Sequence, residues 1–317
     1  MSIFRRLRNT IRRRIQLSAV KRRYGVERPS VVTLPGSKHP IHIDPQDPRA
    51  WKILAWAPLL GRTPRNQTFW RQTCSQLNPG LALDIGLNFG ECLFAADYGP
   101  KAELHAYEAN PALKPYVSQS HAAHPARSQM KLHFGLVSDR PGPAQTFYID
   151  QRWSGGSSAI AGLHPEEASR YQAVEVPVIS VDSTLAQSPA ARPGGTLVFK
   201  IDVEGYEFRV LQGMQKTLMA PQWTVGLVEF DTVLLKKAGE SLEAYFAFLK
   251  ARFEIYAFVK EAKATPAGSW DELCRLFRKP DFHTDLLLTS GEANEAVVRF
   301  LKEWTTGDTG RRSLRAA

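Results

Sequence analysis

Carboxylates stand at or near the ends of four apolar runs in this chain, where they could bind or activate a ligand. Asp84 lies in L-A-L-D-I, and Glu108 ends A-E-L-H-A-Y-E, 24 residues later. Asp202 and Glu204 follow T-L-V-F-K-I, and Glu229 lies near the end of T-V-G-L-V-E-F-D. Ligands of open α/β sheets bind outside the carboxyl ends of the strands, so these five side chains are candidates for binding and catalysis.

The turn after the first run has the composition of a nucleotide-binding turn. Gly86 and Gly90 allow close backbone approach at a helix N-terminus, whose free amide groups can face a ligand. A carboxylate after the next strand, here Glu108, can accept both hydroxyls of a ribose. A turn that merely closes a strand-helix unit is the structural alternative. The expected cofactor-binding residues are Asp84, Gly86, Asn88, Gly90, Glu108 and Ser138, the last of which ends the third predicted strand.

The residue types in this turn favour a cationic ligand over a dinucleotide. The dehydrogenase fingerprint has glycines at the first, third and sixth positions, whereas Asn88 occupies the third position here and would keep a pyrophosphate at a distance. The carboxylate of Asp84 would repel phosphate and attract an amino group. S-adenosylmethionine fits this description, and a nucleotide-dependent oxidoreductase is disfavoured.

The second group of carboxylates suits chemistry on a hydroxyl. Lys200, Asp202 and Glu204 alternate at a strand end and therefore share one side of it. Asp202, Glu204 and Glu229 are the candidates for a general base that takes the proton of a hydroxyl. The same oxygens could instead hold a divalent cation that polarises the hydroxyl. The structural alternative is an ion pair between Lys200 and Asp202 that only braces the turn.

The elements that must position these side chains alternate between strand and helix from residue 81 onward. This alternation predicts an α/β fold of three layers, a Rossmann-like doubly wound domain. Its sheet is expected to be mostly parallel, with an antiparallel hairpin at the late edge formed by strands over residues 254–259 and 285–289. A hairpin is expected over residues 31–48, and helical structure over residues 51–77. A single strand is expected over residues 130–138, a loop rich in Gly and Ser over residues 153–160, and an amphipathic helix over residues 206–218.

The positive charge of the chain is concentrated in its first residues. The formal net charge is +10, and residues 1–26 contain nine Lys and Arg and no acidic residue. The remainder is nearly neutral, which argues against a nucleic-acid groove across the globular part. Ile3, Leu7, Ile11 and Ile15 recur every four residues within the basic segment, which predicts an amphipathic helix. This helix either contacts an anionic membrane or packs on the domain.

Cysteine usage and hydropathy indicate the compartment. Three scattered cysteines, at positions 74, 92 and 274, suit neither a zinc site nor a disulfide framework, so no structural metal is predicted. No run of about 18 apolar residues is present, and the N-terminus lacks the apolar segment of a signal peptide. We therefore expect a cytoplasmic protein that can lie peripherally at the inner face of the membrane.

Two motifs of the chain resemble those of the FkbM family of S-adenosylmethionine-dependent methyltransferases. The family's D-x-G-A-N-x-G turn is similar to residues 84–90, D-I-G-L-N-F-G, with Leu87 in place of Ala. Its K-I-D-x-E-G-x-E segment is similar to residues 200–207, K-I-D-V-E-G-Y-E, and its E-P-N-P is similar to residues 108–111, with Ala109 in place of Pro. The resemblance covers about residues 80–232, roughly half of the chain.

The resemblance implies a Rossmann-like fold and transfer of a methyl group from S-adenosyl-L-methionine to a hydroxyl of a sugar, glycan or related natural-product acceptor. The expected division of the chain is a basic tail over residues 1–26, an N-terminal cap over residues 27–77, a methyltransferase domain over residues 78–306 and a disordered tail over residues 307–317. A scaffold protein that keeps the fold without activity and is tethered by its basic tail is the alternative from another functional class.

Overall fold

The strands of the protein are short and mostly buried. The structure, a computed structural model, describes residues 3–162, 165–188, 190, 195–219, 221–259, 263–292 and 294–306. The strands are β1 (Val31–Val32), β2 (Ile41–His42), β3 (Leu81–Ile85), β4 (Glu103–Glu108), β5 (Met130–Phe134), β6 (Leu136–Val137), β7 (Gly142–Asp150), β8 (Tyr171–Ile179), β9 (Thr196–Ile201), β10 (Trp223–Asp231), β11 (Glu254–Ala257), β12 (Thr265–Pro266) and β13 (His283–Gly291).

Ten α-helices within the described residues surround these strands. They are α1 (Ile3–Tyr24), α2 (Arg65–Leu77), α3 (Lys114–Ala123), α4 (Val181–Thr184), α5 (Glu207–Gln212), α6 (Gln215–Met219), α7 (Thr232–Lys237), α8 (Leu242–Lys250), α9 (Trp270–Phe277) and α10 (Glu295–Trp304). A π-helical segment, Ala50–Trp56, and several 3₁₀ turns supplement them. Of the helices described, none is both long and apolar enough to cross a membrane.

Eight strands form the central sheet, in the order β12-β11-β13-β10-β9-β3-β4-β5. The five strands from β10 to β5 pair in parallel, whereas β13 is antiparallel to β10 and β11 is antiparallel to β13. Parallel sheets need cover on both faces, which accounts for the continuous apolar character of β3 and β9. The predicted fold class, a Rossmann-like α/β sheet with a late antiparallel edge, is confirmed.

The two faces of the sheet belong to different cores. Leu81, Leu83 and Ile85 of β3 pack into a core with α5, α8 and α9, whereas Ala82 packs into a core with α2 and α10. This alternation follows from the period of two along a strand. The helices on both faces make the three layers that the sequence predicted.

A second sheet was not foreseen in the sequence. The stretch from Met130 to Ser138 was expected to be one strand, but it breaks at Gly135, where a Cβ atom would come within 2.8 Å of the Pro177 carbonyl oxygen. The chain before this break pairs with β4, and the chain after it, β6, pairs with β8. Strands β6, β8 and β7 form a separate three-stranded sheet beside the carboxyl edge of the central sheet.

The helix predicted for residues 206–218 is also divided. Its two parts, α5 and α6, are separated at Gly213, where a Cβ atom would come within 2.0 Å of the Ser138 carbonyl oxygen. Both breaks, at Gly135 and at Gly213, therefore occur where another backbone segment approaches too closely for a side chain. Neither approach can be inferred from local periodicity.

The N-terminal part packs on the sheet through aromatic side chains. Strands β1 and β2 form the predicted hairpin, with Val31 opposite His42. Phe69 and Trp70 of α2 are fully buried, and the Phe69 ring meets that of Trp304 edge to face at 5.5 Å. The domain boundaries at residues 27, 78 and 306 stay a prediction, and the tail over residues 307–317 lies outside the described residues.

Candidate active site

The turn after β3 has a backbone that needs glycine at its first position. Gly86 has a φ of 81°, and a Cβ atom there would lie 1.8 Å from the carbonyl oxygen of Asp202. Asn88 and Gly90 also adopt positive φ, at 52° and 79°. Asparagine tolerates the left-handed region better than most residues with a side chain, which explains how Asn88 occupies this position. The turn therefore sits directly against the chain that leaves β9.

Glu108 holds this turn in place. One carboxylate oxygen accepts the backbone N–H of Asn88 at 2.6 Å, and the other accepts the N–H of Asn110 at 2.7 Å. Burial raises the pKa of Glu108, and the two backbone donors oppose that rise. Each carboxylate oxygen has a second lone pair, so Glu108 can still accept from a ligand hydroxyl.

Asp84 faces a buried lysine, but neither of its oxygens has a hydrogen-bond partner among the described residues, and burial raises its pKa to about 7. Its side chain is fully buried, and its Oδ1 lies 3.4 Å from Nζ of Lys200. Nζ also donates to the carbonyl oxygen of Gly86 at 2.6 Å and lies 3.6 Å from Oδ2 of Asp202. Burial would lower the pKa of Lys200, but the charges of Asp202 and Asp84 raise it above its ordinary value. The Lys200–Asp202 ion pair that the sequence suggested is thus present, as part of a larger network.

Three carboxylates meet where β9 and β10 end. Oxygens of Asp202, Glu204 and Glu229 all lie within 4.8 Å of one another. Burial raises the pKa of Glu204 and of Glu229 well above their ordinary value, and the charges of neighbouring carboxylates add to the rise. Oε2 of Glu229 is buried without a hydrogen-bond partner among the described residues. We call these three side chains the acidic cluster.

The backbone at Glu204 is strained and held by its neighbours. Glu204 has a φ of 54°, a conformation that costs free energy for a residue with a side chain. The Ser158 hydroxyl donates to the Glu204 carbonyl oxygen at 2.8 Å. Oε1 of Glu207 accepts the N–H groups of Val203 and Gly205 at 3.0 and 3.1 Å. The final glutamate of the K-I-D-V-E-G-Y-E motif therefore braces the turn that presents the cluster.

The acidic cluster has few positive neighbours. The Asn66 amide donates to Oδ2 of Asp202 at 3.4 Å. Nδ1 of His283 lies 3.6 Å from Oε1 of Glu229 and 3.2 Å from Oδ2 of Asp231. The Asp231 carboxylate raises the pKa of His283. Sequence reasoning missed His283, because its approach depends on the antiparallel pairing of β13 with β10.

Arg49, from the N-terminal part, was also missed. Its guanidinium donates to Oε1 of Glu91 and, at 3.0 Å, to Oδ1 of Asn88. The Ser154 hydroxyl donates to the same oxygen of Asn88 at 3.3 Å. Arg49 is thus a buried cation beside the turn after β3. No motif surrounds it in the sequence, where it stands between a proline and an alanine.

One cleft joins the two groups of residues. Gly86, Asn88, Glu108, Asp202, Glu204 and Glu229 all line it. Residues from the N-terminal part, the smaller sheet and the predicted loop over residues 153–160 complete its wall. Three predicted site residues lie outside the lining: Asp84 faces Lys200, Gly90 lies beneath the Phe94 ring, and the Ser138 hydroxyl donates to Asp139 at 3.0 Å. The structure therefore brings together six of the nine predicted site residues.

The lining has the chemistry that a charged nucleoside and an acceptor require. Leu136, Val137 and Phe147 supply apolar surface, Arg49 supplies a cation, and the carboxylates supply acceptors for hydroxyl and ammonium groups. The acidic cluster alone offers hard oxygen ligands suited to a divalent cation. The residues of the cleft thus suit S-adenosylmethionine and leave further hydrogen-bond acceptors for a second ligand.

Solved methyltransferase structures are similar to this chain at low identity. The O-methyltransferase TomG from Streptomyces achromogenes, in complex with SAM, is 11% identical, with 73% of this chain and 81% of that chain covered and a TM-score of 0.39. The O-methyltransferase from Bacillus cereus, in complex with SAH, is 8% identical, with 71% and 80% covered and a TM-score of 0.39. Human methyltransferase-like protein 13, in complex with SAH, is 16% identical, with 78% and 94% covered and a TM-score of 0.36. No curated protein matches the chain.

The family match covers most of the cleft. The Methyltransferase FkbM domain matches residues 84–258, which is more than half of the chain. The match includes both motifs and the acidic cluster, whereas Arg49, Asn66 and His283 lie outside it. It confirms the resemblance found in the sequence and leaves the oxidoreductase alternative without support. The chain belongs to the FkbM family of S-adenosylmethionine-dependent methyltransferases.

Proposed function

We propose that the protein transfers a methyl group from S-adenosylmethionine to a hydroxyl of a sugar, a glycan or a related natural product. The observation that carries this proposal is the acidic cluster, whose three carboxylates line the same cleft as Glu108 and the turn after β3. A sugar hydroxyl is a weak nucleophile until its proton is removed, and a neighbouring carboxylate performs that task.

The proposal divides the residues of the cleft between two ligands. Glu108 binds the ribose hydroxyls of the methyl donor, and the turn from Gly86 to Gly90 passes beneath it. Arg49 is placed to attract the donor's carboxylate, since it is a cation beside Asn88. The acidic cluster acts on the acceptor. It lies at the ends of β9 and β10, next to the end of β3 and one strand further from Glu108 at the end of β4.

The residues of the cleft do three things in this reaction. When bound, S-adenosylmethionine supplies a methyl group on a cationic sulfur, which is already activated for transfer. Holding the acceptor oxygen in line with that methyl group and excluding water lower the barrier. A carboxylate of the cluster accepts the hydroxyl proton as the bond from oxygen to the methyl carbon forms and the bond from that carbon to sulfur breaks.

We assign the cluster a role as general base rather than as ligand of a cation. A base requires only that one carboxylate be ionised when the acceptor is bound. Activity should therefore survive a chelator, and added Mg²⁺ should leave it unchanged. Loss of activity in chelator and its return with a divalent cation would assign the oxygens to metal binding instead.

The experiment that tests the function uses purified full-length protein, S-adenosylmethionine labelled in its methyl group, and a panel of sugars and glycans. We expect label in a base-stable ether on a hydroxyl-bearing acceptor, together with release of S-adenosylhomocysteine. Label on an amine or a carbon acceptor would contradict the assignment to oxygen. Donor binding without transfer to any class of acceptor would favour the scaffold alternative.

A further inference from the structure

The N-terminal helix α1 is attached to the domain through its last turns and is exposed over residues 10–15. Val20 is fully buried, and Tyr24 packs against the same core. The N–H of Gly25 donates to the Lys21 carbonyl oxygen at 2.8 Å, where the helix ends. From Thr10 to Ile15 every residue is exposed. The helix is thus fixed through its last turns, and residues 10–15 face solvent.

Two large apolar side chains are exposed on this helix. Ile11 is 51% exposed and Ile15 is 61% exposed. Each lies nine residues before an anchoring residue, Ile11 before Val20 and Ile15 before Tyr24. Nine residues are about two and a half helical turns, so each isoleucine is rotated by roughly 180° from its anchoring residue. The isoleucines therefore form a stripe on the side opposite to the contact with the domain.

Arginines flank this apolar stripe. Arg8, Arg12, Arg13 and Arg14 are all exposed, and all but Arg13 lie within about 100° of Ile11 around the helix axis. Arg8 and Arg14 each lie about 60° from Ile11 around the helix axis, on opposite sides. Residues 1–26 contain no acidic residue that could reduce this charge. The exposed side of α1 therefore combines a narrow apolar stripe with a cationic border.

We propose that this side of α1 is a docking surface for an anionic lipid membrane. Isoleucines can enter the boundary between headgroups and acyl chains while arginines at the same depth bind lipid phosphates. Nucleic acid would match the charge of α1 but not its isoleucines. This proposal does not depend on which acceptor is methylated, because the residues that line the cleft belong to other elements than α1.

The experiment measures co-sedimentation of the full-length protein with phosphatidylcholine vesicles that contain or lack phosphatidylglycerol. We expect binding only to the anionic vesicles, and loss of binding at high salt. Changing Arg8, Arg12, Arg13 and Arg14 to Gln should weaken binding by about fivefold for each arginine removed. The double change Ile11→Ser and Ile15→Ser should weaken it by about tenfold or more at constant charge, because apolar area is lost.

A matched control removes the same charge elsewhere. Lys101→Gln, Lys114→Gln, Arg140→Gln and Lys216→Gln change exposed residues outside α1, and the protein that carries them should bind vesicles like the unchanged protein. Donor affinity measured by calorimetry confirms that each variant is folded. Equal binding to both kinds of vesicle, or equal loss in the control and the α1 variants, would overturn the proposal. So would oligonucleotide binding that exceeds vesicle binding and survives the isoleucine changes.

Discussion

The two motif regions of the cleft differ in the charges that surround their carboxylates. Near the first motif, both oxygens of Glu108 accept backbone N–H groups, and Asp84, whose oxygens have no hydrogen-bond partner among the described residues, faces the Lys200 ammonium. At the second motif, the partly buried Glu204 and Glu229 lie beside Asp202, and one oxygen of Glu229 has no hydrogen-bond partner in the described part of the chain. Buried charges without partners are costly.

This difference indicates different tasks. A carboxylate that accepts two backbone N–H groups, as Glu108 does, keeps a fixed position and can bind a ligand without changing its charge. A cluster of neighbouring carboxylates is stabilised when it binds a proton or a cation, because either reduces the repulsion among the carboxylates. The strained backbone conformation of Glu204 also supports a functional role for the acidic cluster, since strain of this kind is most frequent at functional sites. We infer that the first region binds the donor and the second performs chemistry.

The largest effect is expected from changing the acidic cluster. Asp202→Asn, Glu204→Gln or Glu229→Gln should lower turnover by about 10²–10⁴ for the residue that is the base. Donor affinity should stay nearly unchanged, because Glu108, the proposed ligand of the ribose, ends β4, which is separated from β9 by β3. The measurements are turnover of an accepted substrate and calorimetric titration with the donor. Glu243→Gln, at an exposed position on α8, is the control. Unaltered turnover in all three cluster variants would remove the catalytic role of the cluster.

The next effect concerns the first region. Glu108→Ala should weaken S-adenosylmethionine binding by about 1.5–3 kcal/mol, the scale for a hydrogen bond to a charged group. Calorimetry measures the affinity, and circular dichroism checks that the fold persists. Glu108→Gln keeps the size of the side chain and separates the loss of charge from the loss of contact. An unchanged dissociation constant in Glu108→Ala would exclude Glu108 from the donor site.

The pH dependence of activity should reflect the raised pKa values of Glu204 and Glu229 in the acidic cluster. Burial and neighbouring charges raise the pKa of Glu204 and Glu229 above the ordinary value of 4.5. Only an ionised carboxylate accepts a proton, so activity should be present above the raised pKa and should fall as the pH decreases through it. The profile of kcat/KM against pH tests this, and we expect its acid limb well above pH 4.5. An acid limb at the ordinary value would mean that neither Glu204 nor Glu229 is the base.

The smallest effect is expected from the support of Glu204. Ser158→Ala removes the hydrogen bond to the Glu204 carbonyl oxygen and should lower the free energy of unfolding by about 0.5–1.5 kcal/mol. Turnover should fall while donor affinity is kept. Ser75→Ala is matched to it, because Ser75 also donates to a backbone carbonyl but lies on an exposed part of α2. An equal change in stability from both substitutions would argue against a special role for Ser158.

Local sequence predicted the elements that carry the chemistry. The apolar runs before Glu108 and Asp202 identified β4 and β9, and the glycines at 86 and 90 identified the turn after β3. Such features depend on residues that are close in the chain, and their physical causes act over a few bonds. The prediction of a helix after this turn was wrong, because a 3₁₀ segment, Leu93–Ala95, is the only helical structure described between β3 and β4.

Contacts between distant segments could not be predicted in this way. The Lys200 ammonium reaches Asp84 and Gly86 because β9 lies beside β3 in the sheet. Arg49 reaches Asn88 across 39 residues, and His283 reaches Asp231 across 52. The break at Gly135 depends on β8, which follows it by more than 30 residues. The sequence contains these residues, but only the fold determines which of them meet.

The division of the cleft between donor and acceptor is tested most directly by a crystal structure of the protein with S-adenosylhomocysteine. We predict that the ribose hydroxyls lie within hydrogen-bonding distance of Glu108 and that the sulfur faces the acidic cluster, with space for an acceptor between them. Ribose hydroxyls bound by Asp202, Glu204 or Glu229, or a sulfur directed away from all three, would contradict the division.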